Sequence, residues 1–226
     1  MRIRPNLETF LAVLSVCLGS ATAARADVFI TFDTNASGNT INAPIFFKNA
    51  NPLTDLYSPL GVTFAGPSAI DGGAILNEGS NFGFNAHSGV NFLAFNRAAQ
   101  AIMMNGGMPI DPETITFNQS YQTVSIFAAV GIIDEDEDTK GTFTMTAYSS
   151  GVQVGSTMLS LLNKDGFQEL SVSSAGGIDK VVLTETGSPL FAYDDLRLKA
   201  VPEPASFFLL FVGLSGAAFA KRLRGL

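Results

Sequence analysis

Short stretches in which apolar and polar residues alternate recur along most of the chain between residues 27 and 200. In Thr123–Gly131, the apolar residues Val124, Ile126, Ala128 and Val130 are each two positions apart. Because successive side chains of a β-strand point to opposite faces, this period of two predicts half-buried strands. The strands predicted in this way are Val28–Asp33, Gly61–Gly66, Asn91–Asn96, Glu113–Asn118, Thr123–Gly131, Thr142–Tyr148, Gln153–Leu161, Phe167–Ser173, Lys180–Thr186 and Phe191–Lys199.

Residues that favour turns separate these stretches. Ser149-Ser150-Gly151 lies between two alternating runs and predicts a hairpin, while Ala175-Gly176-Gly177 predicts a further turn. Convincing helical periodicity is absent from the sequence between the strands. The pattern therefore predicts an all-β fold, an antiparallel β-sandwich of the jelly-roll type over residues 27–199.

The N-terminal segment has the three parts of a secretory signal peptide. Two arginines lie in the first four residues, Phe10–Leu18 is apolar, and Ala24 and Ala26 form an A-x-A cleavage site. We therefore expect signal peptidase to remove residues 1–26, so that the mature protein begins at Asp27.

Cys17 is the only cysteine of the chain and lies inside this segment. Its lipidation is an alternative to plain cleavage, but Val16 occupies the place where a lipidation signal has a small residue. Cleavage after residue 26 leaves a domain without cysteine, so its stability must come from packing or from a metal rather than from a disulfide.

The last 26 residues, Val201–Leu226, form a segment of a different kind. Pro202, Glu203 and Pro204 make a triplet that stays extended, because proline fixes φ and has no N–H group. The apolar run Ala205–Ala220 would be about 24 Å long as a helix, which predicts a transmembrane helix. Basic residues follow it, and they predict a cytoplasmic end.

This order of PEP triplet, apolar run and basic end resembles the PEP-CTERM sorting signal of Gram-negative bacteria. The resemblance covers only the tail, residues 200–226. It implies transient anchoring in the inner membrane, cleavage near the triplet by an exosortase-type enzyme, and delivery to the cell surface or extracellular matrix. It also implies exopolysaccharide as a partner. An ordinary anchor that is never removed is the alternative.

The segment between the two processing sites is strongly acidic. Asp27–Pro204 carries 19 acidic and seven basic residues, a net charge of −12. Such a charge argues against nucleic acid or an anionic membrane surface as a partner, and it favours solubility and divalent cations.

Asp134–Asp138 is a run of five consecutive acidic residues between two predicted strands. Carboxylates this close repel each other unless they are solvated by water or bind a cation. The run lacks the glycine and the glutamate of an EF-hand loop. A solvated loop is one interpretation, and a Ca²⁺ site formed by Asp134, Asp136 and Asp138 is the other.

A second candidate Ca²⁺ site joins the two ends of the domain. Asp33 ends the first predicted strand and Asp194 and Asp195 lie in the last, and these strands often pair in jelly rolls. Strict alternation places Asp194 and Asp195 on opposite faces. The phrases Ile30–Asp33 and Phe191–Leu196 resemble the outer strands of lectin-like and carbohydrate-binding jelly rolls, which implies that such aspartates hold a structural Ca²⁺. Carboxylates in solvent are the alternative.

The residues offer little for catalysis. His87 is the only histidine, and its loop, Asn85–Gly89, has no nucleophile elbow, so we expect a surface histidine and no enzyme. The chain contains no tryptophan, and its many phenylalanines are predicted for the core. Stacking on sugars would then fall to Tyr57, Tyr121, Tyr148 and Tyr193.

These observations predict an exported, non-enzymatic envelope or matrix protein that binds exopolysaccharide. Two alternatives remain open: a secreted glycan hydrolase and a purely structural surface protein.

Overall fold

The computed structural model describes residues 26–46, 49–51, 53–66, 73–80, 85–94, 112–131, 138–187 and 190–201. These residues belong to one compact unit, residues 26–201. Ala24, the PEP triplet, the apolar tail, Asp134 and Asp136 lie outside the described residues, while Ala26 is described and exposed. Within the described part of the chain, no helix is long and apolar enough to cross a membrane.

The described residues form nine strands and two single-turn 3₁₀ helices, Ser58–Leu60 and Asn163–Asp165. Each pairing between these strands is antiparallel. The strands are β1 Val28–Ile30, β2 Val62–Ala65, β3 Ala74–Asn77, β4 Asn91–Ala94, β5 Glu113–Val130, β6 Lys140–Ser149, β7 Val152–Leu162, β8 Gln168–Thr186 and β9 Phe191–Ala200.

Two long strands connect two sheets. The second half of β5 pairs with β9 and with the first half of β8, whereas its first half pairs with β2 and with the second half of β8. The first sheet therefore runs β3-β4-β9-β5-β8, with β1 also beside β9, and the second runs β2-β5-β8-β6-β7. Pairing between β5 and β8 shifts register around Tyr121, where each strand passes from one sheet to the other.

The core lies between these sheets. Phe143 on β6 of the second sheet contacts Phe191 and Tyr193 on β9 of the first, edge to face, with ring centroids 4.9 and 5.6 Å apart. All three rings are fully buried. Edge-to-face contacts across two layers are typical of a sandwich core. The predicted antiparallel β-sandwich is confirmed.

Several local predictions are confirmed, one is wrong, and one strand was missed. Ser150 and Gly151 have φ angles of 50° and 80° and connect β6 to β7 in the predicted hairpin. β1 pairs with β9, as expected for the first and last strands of a jelly roll. The turn predicted at Ala175-Gly176-Gly177 instead lies inside β8, at a register shift where residues 174–177 lie between the pairs Tyr121–Ile178 and Thr123–Ser173. β3 was not predicted, because Ala74, Ile75 and Leu76 are all buried and show no alternation.

Candidate functional site

A β-bulge in β9 shapes the surface of the first sheet. Ser125 pairs with Arg197 and Phe127 pairs with Asp194, so β9 has one residue more than β5 over this interval. Asp195 lies at the bulge with a φ of 52°, in the left-handed region. The predicted placement of Asp194 and Asp195 on opposite faces is therefore wrong, since both carboxylates contact the loop that precedes β4.

Asp194 and Asp195 hold that loop by different atoms. Asp194 Oδ2 accepts hydrogen bonds from the backbone N–H groups of His87 at 2.9 Å and Ser88 at 3.0 Å. Asp195 contacts the side chains of the same two residues, His87 Nδ1 at 2.8 Å and Ser88 Oγ at 2.7 Å. Both aspartates are buried, so the interpretation of solvated carboxylates is wrong for this pair.

Asp33 holds the other end of the loop. Its Oδ1 accepts hydrogen bonds from Val90 N at 2.9 Å and Asn91 N at 3.2 Å. Asp33 and Asp194 also share a neighbour: burial raises the pKa of Tyr57, and the negative charges of these two aspartates raise it further. The sequence-based expectation that the two ends of the domain bring their carboxylates to one region agrees with these contacts.

The buried position of Asp194 changes its titration. Desolvation by burial is the main cause that raises the pKa of this carboxyl to about 7, and the nearby negative charge of Asp195 adds to the rise. The hydrogen bonds from the N–H groups of Ser88, Asp195 and His87 act in the opposite direction and lower the pKa. Asp194 therefore changes charge near neutral pH, which is unusual for an aspartate.

The described residues include no group of three or more His, Cys, Asp or Glu side chains that could hold a metal ion. The oxygens of Asp33, Asp194 and Asp195 named above accept hydrogen bonds from N–H and O–H donors. Of the acidic run, only Asp138 is described, and it forms an exposed ion pair with Lys164 at 2.8 Å. Calcium binding stays a prediction.

Asp195 also organises a stack of aromatic and cationic groups on the outer face of the first sheet. The His87 ring lies parallel to the Phe127 ring, with centroids 3.7 Å apart. The Arg197 guanidinium lies 5.2 Å from the Phe127 centroid and 5.0 Å from that of Phe29. Because Asp195 Oδ2 contacts both His87 Nδ1 and Arg197 Nη2, one carboxylate holds the imidazole ring and the guanidinium in place.

This stack borders a groove of about 450 Å³. Its floor consists of cross-strand neighbours, since Phe29 pairs with Arg197, Arg197 with Ser125, and Ser125 with Ser171. Aromatic, hydroxyl and charged groups thus lie side by side in one concave surface. The lining residues are Asp27, Val28, Phe29, Thr123, Ser125, Glu169, Ser171, Arg197, Leu198 and Lys199.

None of these groove residues was predicted from the sequence as part of a site. The phenylalanines were expected in the core, but Phe29 is 54% exposed and Phe127 is only partly buried. The sequence did contain an indication of this exposure. Each phenylalanine occupies one of the alternating positions of its strand that otherwise carry mainly polar residues. Of the tyrosines expected to stack on sugars, Tyr57, Tyr121 and Tyr193 are fully buried and therefore unsuitable. Tyr148 is partly exposed, with Lys180 Nζ 4.5 Å from its ring centroid, and it is not among the groove residues. His87 is partly exposed, as expected, but it is held by Asp195.

Comparison with known proteins bears on the tail and on the fold. A family model described as PEP-CTERM protein-sorting motif matches residues 200–224, which confirms the resemblance of the tail. The motif indicates an exported protein that is sorted to the cell envelope. No curated protein sequence matches the chain.

Solved structures that are weakly similar to the chain include carbohydrate-binding modules. One contains the CBM22-1 and GH10 modules of xylanase 10B from Clostridium thermocellum with xylohexaose, at 11% identity and a TM-score of 0.36, covering 78% of this chain and 29% of that one. TmCBM61 in complex with β-1,4-galactotriose matches at 11% identity and a TM-score of 0.36, covering 66% and 98%. TmCBM27, described with mannan recognition, matches at 11% identity and a TM-score of 0.30, covering 77% and 98%.

Proposed function

We propose that this protein is a non-enzymatic glycan-binding module of the bacterial envelope or extracellular matrix, and that its groove binds a neutral stretch of exopolysaccharide. The observation that carries the proposal is the exposed Phe29 ring beside Arg197, Ser125 and Ser171 in one groove. A sugar ring has an apolar face and a rim of hydroxyl groups. An aromatic ring surrounded by hydrogen-bonding groups matches both, and the groove volume of about 450 Å³ is that of an ordinary ligand site.

The charges of the groove support a neutral ligand. Arg197 and Lys199 are balanced by Asp27 and Glu169 among the lining residues. The domain around them has a net charge of −12 between Asp27 and Pro204. This charge disfavours the approach of a polyanion, whereas it leaves the binding of neutral sugars unaffected.

The fixed positions of the side chains beside the groove favour binding over catalysis. Asp195 fixes the Arg197 guanidinium and the His87 ring, so neither has to be ordered when a ligand arrives. His87 Nδ1 is engaged by Asp195, and a buried carboxylate that fixes an imidazole can also serve a hydrolase. A secreted glycan hydrolase is therefore the second candidate function, and the two differ in whether the ligand is cleaved.

The tail supports the route to the envelope. We propose that a signal peptidase and an exosortase-type enzyme process the chain, which is anchored transiently in the inner membrane of a Gram-negative bacterium between the two cuts. The sorting motif at residues 200–224 and the sequence pattern of residues 1–26 support this order of events.

A polysaccharide panel tests the proposal. The mature protein should bind one or more neutral polysaccharides. We expect Phe29→Ala to weaken binding about tenfold, the order of the loss of about 1–3 kcal/mol when an aromatic platform under a nucleic-acid base is removed. Phe46→Ala is the matched control, since Phe46 is 39% exposed and is not among the groove residues. Release of reducing sugar would favour the hydrolase instead. Absence of both binding and release would favour a purely structural protein.

A further inference from the structure

β7 is an edge strand of the second sheet. It pairs with β6 along its whole length, from Val152 to Leu162. Among the described residues, no strand pairs with its other side. Edge strands present unpaired backbone N–H and C=O groups, and proteins usually keep such strands short, charged or covered.

The other edges of the two sheets have these protections. β2 and β3 have four residues each. Loop backbone covers β2, since Phe64 N donates to Thr54 O at 2.8 Å, and it covers β3, since Asn77 N donates to Pro44 O at 3.0 Å. The first half of β8 carries the charged and exposed Glu169.

β7 has none of the side chains that protect an edge. It is 11 residues long and contains no charged residue and no proline. Its one irregularity in pairing lies opposite Ala147 and Tyr148, so the strand is regular from Gly155 onward. Leu162, its last residue, is capped locally, because Leu162 N donates to Asp165 Oδ2. Within the described part of the chain, the middle of β7 is therefore an open, neutral edge on a strongly acidic domain.

The sequence of this edge is complementary to itself. Met158 is 70% exposed, with Ser156 two residues before it and Ser160 two residues after it. In an antiparallel pair of two β7 strands centred on Met158, the methionines lie opposite each other and Ser156 of one copy lies opposite Ser160 of the other. Each pair joins similar groups, and no like charges meet.

We propose that two copies of this protein associate through β7, as an antiparallel strand pair centred on Met158. A two-fold axis closes such a pair, because each copy uses the same strand, so the assembly ends at a dimer rather than a fibre. The dimer carries two grooves, and a polysaccharide chain that reaches both gains apparent affinity by effective concentration.

Residues 26–201 form one compact unit that contains both sheets and their core, so this segment is suitable for the test. Its mass is measured by light scattering and sedimentation over a range of concentrations. We expect a monomer–dimer equilibrium, and we expect Met158→Lys to raise its dissociation constant about fivefold or more, because it places like charges opposite each other. Thr144→Lys is the matched control, since Thr144 pairs with Met158 from the neighbouring strand and lies inside the sheet.

Cross-linking tests the register. The segment has no cysteine, so Met158→Cys should form a disulfide-linked dimer under mild oxidation, while Thr144→Cys should not. A mixture of Ser156→Cys and Ser160→Cys proteins should link to each other faster than either links to itself. A monomer at every concentration, a series of growing oligomers, or equal effects of Met158→Lys and Thr144→Lys would overturn the proposal. These results do not depend on whether the groove binds glycan.

Discussion

Asp33 and Asp194 accept hydrogen bonds from opposite ends of one loop. Asp194 binds the N–H groups of His87 and Ser88, and Asp33 binds those of Val90 and Asn91. The loop that begins β4 is thereby tied to the segment after β1 and to β9. The stack on Phe127 depends on this arrangement, because His87 belongs to the same loop.

The first prediction concerns the stability that Asp33 supplies. Asp33→Ala removes the acceptor of two backbone N–H groups and should lower the free energy of unfolding by roughly 1.5–3 kcal/mol. Chemical unfolding of residues 26–201 measures the difference. Asp55→Ala is the control, since Asp55 is exposed and its one side-chain contact is a 3.4 Å hydrogen bond with the neighbouring Thr54. Equal losses in the two variants would contradict the structural role of Asp33.

The second prediction is a pH dependence of stability. The pKa of Asp194 rises from 3.8 to about 7 on folding, so the folded protein binds more protons than the unfolded chain between these values. The contribution of Asp194 to stability is therefore complete below pH 4 and is lost as the pH rises toward 7. Unfolding measured from pH 4 to 8 should show this slope in the wild type and lose it in Asp194→Asn. A carboxyl ¹³C resonance of Asp194 that titrates near pH 4 would refute the assignment.

The third prediction separates charge from geometry at Arg197. Arg197→Lys keeps the positive charge, but it loses the planar group that lies between the Phe29 and Phe127 rings. We expect affinity for the bound polysaccharide to fall about tenfold and the melting temperature to change little, because about half of the Arg197 side chain is exposed. Lys199→Arg is the charge-conserving control in the same groove. Unchanged affinity in Arg197→Lys would show that only the charge matters.

The fourth prediction concerns calcium. If the acidic run Asp134–Asp138 binds Ca²⁺, millimolar Ca²⁺ should raise the melting temperature relative to EDTA, since a ligand that binds only the folded state stabilises it. Changing Asp134, Asp136 and Asp138 together to Asn should abolish the shift, whereas Asp33→Ala should leave it intact. Identical melting of the wild type in Ca²⁺ and in EDTA would exclude a stabilising calcium site.

The fifth prediction concerns processing. Protein isolated from the producing bacterium should begin at Asp27 and should lack the apolar segment after the PEP triplet. Intact-mass spectrometry measures both ends at once. Changing Pro202 and Pro204 to Ala should block the second cut and leave the first. A mature species that still ends at Leu226 would indicate a permanent anchor.

The sequence by itself determined the strands in which apolar and polar residues alternate, and which face of them is buried. It missed β3, whose Ala74, Ile75 and Leu76 are all buried. Alternation at period two is a local property, and burial of one face stabilises it wherever the strand pairs. The same holds for the Ser150-Gly151 hairpin, since its left-handed backbone is a property of two residues. The tail could also be recognised from the sequence, because the PEP triplet, the apolar run and the basic end follow one another directly along the chain.

Only the tertiary structure decided the site. The bulge at Asp195 depends on how β9 pairs with β5, and it brings Asp194 and Asp195 to one loop against strict alternation. The exposure of Phe29 and the stack on Phe127 depend on which strands become neighbours. Register between distant strands follows from the packing of the whole sheet, so no local pattern specifies it. For this reason the alternating strands could be predicted from the sequence, while the groove that they form could not.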